Sequence, residues 1–298
     1  MLEYFHPWTN SAGFYMARQK GYYNEAGLDV IFMTYDRYWG NSIDYLVRGD
    51  VTFAITPFKR VLLQNEQNVP IRSIALINNC SFETIQTLRS KNITRPRDLC
   101  GRRVSLHPTK KGVAMLRHIV QQDGGDPDEL VLIDSGEREV TPEELRSGIA
   151  DASYGAYWAW EALMPSTVSE QERVVWRIDE LGAPVQPGYV LAVREDTLQK
   201  QGNIVRDFLM ATRQGYEEVF NDPNSAVPLY EQATPYFDKR LISTSLEAVA
   251  PTWFHNAAWG IQRKELFEPY VGWLTDKGII TASNSWWKVV TDKYLSRT

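Results

Sequence analysis

No apolar run in these 298 residues approaches the roughly 20 that a membrane-spanning helix needs. Stretches such as Ile74 to Ile77 and Val190 to Val193 stop far short of that length. Positive charge is not in excess either: 32 Lys and Arg stand against 37 Asp and Glu, giving a net charge of −5. Basic residues are scattered, so no stripe exists to neutralise a run of phosphates, and nucleic acid is excluded as the expected partner. Cys80 and Cys100 are the whole cysteine content, too few for a secreted disulfide framework, and both are expected to remain thiols. The four histidines, His6, His107, His118 and His255, form no Cys-x-x-Cys or His-Glu-x-x-His spacing, so neither a metal nor another cofactor is expected. Glycine-rich phosphate loops and a Gly-x-Ser-x-Gly elbow are missing as well, as are internal repeats and low-complexity tracts. The opening residues Met1 to Phe5 carry no basic, apolar and small-residue sequence of an export signal. A cytosolic protein and a mature chain lacking its export signal are both consistent with that start.

What the sequence has in plenty is aromatic rings, with 10 Trp, 15 Tyr and 11 Phe, and some of these are expected to face a ligand. It also has a regular alternation of short strands and helices. Strand patterns fall at Leu2–Phe5, Leu28–Met33, Val51–Ile55 and Ile71–Ile77, with helical spacing at Gly13–Asn24, Tyr38–Arg48 and Lys59–Asn65 between them. After the polar stop Asn78-Asn79-Cys80-Ser81 a second series begins. It has strands at Thr84–Arg89, Val104–Leu106, Leu130–Ile133 and Ala152–Gly155, and helices at Pro96–Leu99, Lys111–Gln122 and Pro142–Ser147. A strand at Tyr189–Arg194 follows, then helices at Ile204–Phe220, Ser225–Gln232, Ser243–Phe254 and Lys264–Lys277. This is the grammar of βαβ units. It predicts two α/β lobes, each a mostly parallel sheet flanked by helices, joined by crossings near Asn79 and Gly188. Residues 1–80 with 188–298 make the first lobe and 81–187 the second. A cleft where strand ends converge is the expected binding site.

Trp8 to Val30 reads Trp-Thr-Asn-Ser-Ala-Gly-Phe-Tyr-Met-Ala-Arg-Gln-Lys-Gly-Tyr-Tyr-Asn-Glu-Ala-Gly-Leu-Asp-Val. It resembles the opening of the family that holds the thiamine pyrimidine-precursor binding proteins and the related pyrimidine synthase, with sulfonate, taurine and nitrate binding proteins as more distant kin. Tyr23 stands where that family usually has Phe. Leu46–Ala54, Pro70-Ile71, Asp98–Val104, Ser147–Ala152 and Trp273–Ile280 are similar to further family segments. The resemblance implies a periplasmic binding protein type 2 fold and a substrate-binding component of an ABC importer that is not an enzyme. That component would be monomeric, partnered by a permease, and periplasmic or anchored outside the cell as a lipoprotein. It would close by a hinge on a small heteroaromatic ligand such as a thiamine pyrimidine precursor.

The resemblance also places ligand contacts in loops at strand ends. Trp8, Asn10 and Ser11 lie in the first, where Asn10 or Ser11 could equally cap the following helix. Tyr38 and Trp39 follow the second strand, with a surface loop as the alternative. Thr56 and Phe58 follow the third, at a helix N-terminus whose bare N–H groups favour a carbonyl or an anion. Ser105 and Thr109 stand between a strand and a helix of the second lobe, next to His107, which reads equally as an exposed loop residue. Tyr154, Tyr157, Trp158 and Glu161 would stack on a flat heterocycle and accept its N–H groups, with a helix whose Trp158 and Trp160 cover core as the alternative. Gln186 and Tyr189 flank the second crossing. The pyrimidine synthase carries a lysine and a histidine where Thr56 and Arg60 stand, and a cysteine-rich motif where Gly182-Ala183-Pro184-Val185-Gln186-Pro187 stands, which argues against its chemistry here. A sulfonate or other small anion on the same scaffold is a further alternative, with Arg60 and Lys110 as the candidate cations.

Overall fold

The computed structural model describes residues 1, 7–34, 36–136, 138–281 and 283–295. They divide into two compact units, one of residues 1–80 and 186–298 and the other of residues 81–185. The strand expected at Leu2–Phe5 lies outside the described residues.

In the first unit a single 3-10 turn, Thr9–Ser11, leads into helices α1 (Ala12–Gln19) and α2 (Tyr22–Glu25). The strand expected at Leu28–Met33 is reduced to a single bridge at Met33; Leu28, Val30 and Phe32 are half-buried and Asp29, Ile31 and Met33 exposed, and the segment bonds Met1 at both Ile31 and Met33. Helix α3 (Ser42–Arg48) starts later than the expected Tyr38 because Asn41 and Asp44 form a capping box there, and Gly49 at φ 83° ends it. Strand β1 is displaced to Ala54–Pro57, since Phe53 turns inward to stack on Phe208 at 4.1 Å. Helix α4 (Phe58–Glu66) and strand β2 (Ile71–Leu76) follow.

The second unit contains β3 (Glu83–Leu88), β4 (Arg103–Leu106), α5 (Lys110–Gln122), β5 (Val131–Asp134), α6 (Pro142–Ser147), β6 (Ala152–Tyr157) and β7 (Arg173–Arg177). Helix α6 matches its expected bounds because every local signal agrees: the Thr141–Glu144 capping box, Pro142 at its first turn and Gly148 at φ 84° after it. The chain then returns through β8 (Tyr189–Arg194) to the first unit. There it adds α7 (Glu195–Asn221, broken at Gln201), α8 (Val227–Ala233), α9 (Lys239–Val249), the hairpin β9 (Phe254–His255) and β10 (Ala258–Trp259), and α10 (Lys264–Asp276). No disulfide joins Cys80 to Cys100.

The sheets correct the expectation of mostly parallel strands. In the first unit the order is β1-β8-β2, and β8 is antiparallel to both neighbours. In the second it is β5-β4-β6-β3-β7, where β4 pairs in parallel with β5 and β6 while β3 is antiparallel to β6 and β7. A strand buried on both faces gives the same apolar run whichever way it points, so the pattern that located β8 carried no direction.

Helices α1 and α7 touch backbone to backbone. A methyl group built on Gly215 would overlap the Gly13 carbonyl oxygen, and one built on Gly13 would overlap the Tyr216 ring. Around this contact Phe208 stacks on Tyr23 at 5.3 Å and on Phe14 at 6.2 Å. Tyr23 bonds Thr212 at 2.8 Å, so the hydroxyl that departs from the family's usual Phe has a buried partner, and burial holds its pKa well above the ordinary phenol value. Gly215→Ala is therefore expected to destabilise the chain by about 3 kcal/mol or more, as overpacking of a rigid contact does. Gly272→Ala, in a helix with open space where the methyl would go, should stabilise by roughly 0.5–1 kcal/mol. Thermal unfolding of the two variants should move in opposite directions.

Candidate functional site

In the first unit the loop after Pro7 is buried at Thr9, Asn10 and Ser11 and held from the C-terminal half of the chain. Tyr230 donates to the Trp8 carbonyl at 2.6 Å, Tyr216 donates to the Asn10 carbonyl at 2.8 Å, and the Thr9 and Ser245 hydroxyls bond each other. Neither polar side chain caps α1: Ser11 sits at the N-cap without a capping bond, and the Asn10 amide is engaged elsewhere. Its Oδ1 accepts from Asn78 Nδ2 at 2.6 Å and from Trp253 Nε1 at 3.3 Å. Its Nδ2 is buried with no hydrogen-bond partner among the described residues.

Strand pairing brings several other predicted residues to the same end of the sheet. Tyr189 opens β8 opposite Pro57, Thr56 faces Val190, and the Trp8 and Tyr189 rings meet edge to face at 6.4 Å. Gly188 permits this approach, because a Cβ there would sit 2.5 Å from the Cys80 carbonyl and 2.7 Å from Asn78 Cβ. Thr56 Oγ1 and Gln186 Nε2 are, like Asn10 Nδ2, buried without a partner among the described residues. Phe58 is buried, with its ring edge-on to Phe267 at 4.6 Å. Tyr38 and Trp39 stand 86% and 69% exposed on a 3-10 turn, outside the buried group.

In the second unit the β4–β6 register sets Ser105 beside Ser153 on one face of the sheet, and both hydroxyls are buried without a partner among the described residues. Thr109 acts as the cap of α5, accepting from the Gly112 N–H at 3.0 Å. Tyr154 is buried, near enough that a Cβ on Gly112 would lie 3.6 Å from its ring, whereas Tyr157 is half-buried. Trp158 donates its indole N–H to the Ser81 carbonyl at 3.0 Å, and Arg177 lies over its ring at 4.2 Å, so one ring face is already covered. Trp160 is wholly buried, as the core reading of that residue expected.

Glu161 accepts the Tyr157 N–H at 2.9 Å, and burial raises its pKa. Glu139, which the sequence reading missed, lies against Gly155: a Cβ on that glycine would sit 3.2 Å from its Oε2. Burial, reinforced by the carboxylates of Glu161 and Glu83, pushes the Glu139 pKa up to about 7. Glu83 itself is paired with Lys111. Asn78 was also missed, although it ends an apolar strand in a polar pair, a visible signal; nothing in the sequence around Glu139 marks it. A pocket of about 480 Å³ on the first unit, lined by Phe220, Pro251 and Phe254 among others, shares no residue with these groups.

Residues 8–226 match the profile described as NMT1/THI5 like, well over half of the chain. The chain belongs to the NMT1/THI5-like family. A formylaminopyrimidine-binding protein of Halalkalibacterium halodurans is 26% identical over 271 residues, covering 87% of this chain and 79% of that one. Among solved structures, the periplasmic aliphatic sulphonate binding protein SsuA of Escherichia coli superposes with a TM-score of 0.73 at 13% identity, over 99% of this chain and 98% of its own. The desulfurization enzyme DSZB superposes with a TM-score of 0.64 at 11% identity, over 99% and 97%. The family member described here therefore has the two-unit α/β periplasmic binding protein fold, a scaffold shared by binders and by at least one enzyme.

The raised pKa of Glu139 has a sign that can be measured. Because the folded state holds this proton more tightly than the unfolded chain, the stability it brings is complete below about pH 4.5, the ordinary carboxyl value, and is lost as pH rises through 7. Glu139→Gln cannot ionise, so it should be more stable than the parent at pH 8 by about 1–3 kcal/mol. The difference should vanish at pH 4, as followed by denaturant unfolding at both values.

Proposed function

We propose that this chain is the solute-binding component of an ABC importer, acting outside the cytoplasm as a monomer with a permease partner, and that its ligand is a small heteroaromatic rich in N–H groups. A thiamine pyrimidine precursor is the first candidate. One observation supports this most: Asn10, Thr56 and Gln186 in the first unit and Ser105 in the second each keep a buried polar atom without a partner among the described residues. An unmade hydrogen bond at such an atom costs about 1–3 kcal/mol, and these are residues that the family resemblance picks out as ligand contacts. On this reading the ligand binds a closed state more tightly than an open one and shifts the population toward it.

The carboxyl oxygens of Glu83, Glu139 and Glu161 are hydrogen-bond acceptors, which favours a partner that donates N–H groups over a sulfonate, itself an acceptor only. Of the basic groups nearby, Lys111 is already paired with Glu83. The relative named for a formylaminopyrimidine points the same way. An enzymatic role of the synthase kind is disfavoured by Thr56 and Arg60, which stand where its lysine and histidine would be.

Isothermal titration with a formylaminopyrimidine, an aminopyrimidine alcohol and an alkanesulfonate separates the readings. The expected result is one-to-one binding of a pyrimidine, no heat from the sulfonate, and recovery of the pyrimidine unchanged. Glu161→Gln should weaken the pyrimidine by roughly 10- to 100-fold, the worth of a charge-assisted bond. Binding of the sulfonate alone, or conversion of the pyrimidine, would overturn the proposal.

A further inference from the structure

The Asn10 amide is oriented by a chain of hydrogen bonds that runs in one direction only. Trp253 Nε1 can donate but never accept, so the Asn10 atom facing it at 3.3 Å has to be the oxygen. Asn78 places Nδ2 on the same oxygen at 2.6 Å and on Thr252 Oγ1 at 2.8 Å. Thr252 in turn gives its proton to the Val249 carbonyl at 2.7 Å, so its oxygen is left to accept. Polarity thus passes from a helix carbonyl through Thr252 and Asn78 to Asn10, and the indole N–H fixes it from the other side. Two atoms remain, Asn10 Nδ2 and Asn78 Oδ1, a donor and an acceptor on residues 1% and 0% exposed, with no partner among the described residues.

Their backbones have little freedom. Tyr216 holds the Asn10 carbonyl, the Gly188 N–H donates to the Asn78 carbonyl at 3.0 Å, and the Asn79 N–H donates to the Thr252 carbonyl at 2.8 Å.

We infer that Asn78, Thr252 and Trp253 are positioning residues that fix the Asn10 amide with its N–H toward the ligand, so that the first unit selects a ligand with an acceptor, such as a ring nitrogen, at Asn10 and an N–H at Asn78. This rests on the small-molecule binding proposed above and adds which ligand atom each amide reads. With both the indole N–H and the Thr252 hydroxyl removed, the amides can turn over and the preference for an acceptor is lost. A role in packing alone would weaken every ligand equally.

The test is binding of an aminopyrimidine and of the matching aminobenzene, in which both ring nitrogens are C–H, to the parent chain and to the double variant Trp253→Phe/Thr252→Val, which removes both anchors. Thr252→Val keeps the side-chain shape, and thermal unfolding checks that the double variant folds. The parent should prefer the aminopyrimidine by about tenfold or more, the scale of one directed hydrogen bond. In the double variant the preference should fall to within about threefold, with aminobenzene binding unchanged. A variant that folds and keeps the full preference, or that loses both ligands in equal proportion, overturns the positioning role. A parent that binds neither compound removes the proposed ligand class itself, and the selection with it.

Discussion

The first unit's buried polar site depends on the absence of two side chains. Gly13 and Gly215 let α1 and α7 meet backbone to backbone, and the space this opens over Gly13 is filled by the Tyr216 ring. From there the arrangement follows by contact. The Tyr216 hydroxyl reaches the Asn10 carbonyl, Trp253 packs edge-on to Tyr216 at 5.0 Å, and Trp259 stacks on Tyr216 at 5.2 Å. That packing sets the Trp253 indole where it can bond only an oxygen, and so decides the direction of the Asn10 amide. A rigid aromatic layer is well suited to this, since close-packed interiors hold a polar group to a few tenths of an ångström where a loop would not.

The two units are chemically unlike. The first offers neutral, oriented dipoles: the amides of Asn10, Asn78 and Gln186 and the hydroxyl of Thr56. The second offers carboxylates, of which Glu83 is balanced by Lys111 while Glu139 and Glu161 are held toward their neutral forms by burial. A carboxyl poised near neutrality accepts an N–H strongly once a ligand arrives and costs less than a bare buried charge beforehand. Specificity of this kind comes from the loss suffered when a wrong ligand leaves such groups unmatched.

Much of the fold was legible in the sequence because local signals agreed with the tertiary result. Strand β8 was marked by its apolar run, α6 by the proline and glycine at its ends, and α5 by its spacing. Strand direction was not legible, since burial on both faces erases it, and β7 was missed because Arg173–Arg177 has no alternation to read, with four residues half-buried and Val175 exposed. At the site, resemblance singled out Asn10, Thr56, Ser105 and Gln186, all of which prove to hold unmatched polar atoms. It also singled out Phe58, which the core claims through Phe267, and Thr109, whose hydroxyl serves the helix. Glu139 and Trp253 were invisible because their roles come from residues far along the chain: Glu161 and Glu83 for the one, Asn10 for the other.

The central claim is that the buried, unmatched polar atoms exist for a ligand. The most direct measurement is a crystal structure of the chain grown with an aminopyrimidine. The account predicts one ring with an acceptor about 3 Å from Asn10 Nδ2 and an N–H about as far from Asn78 Oδ1, within ordinary hydrogen-bond reach. A ring bound elsewhere, with Asn10 Nδ2 and Asn78 Oδ1 still unmatched by it, would contradict that claim.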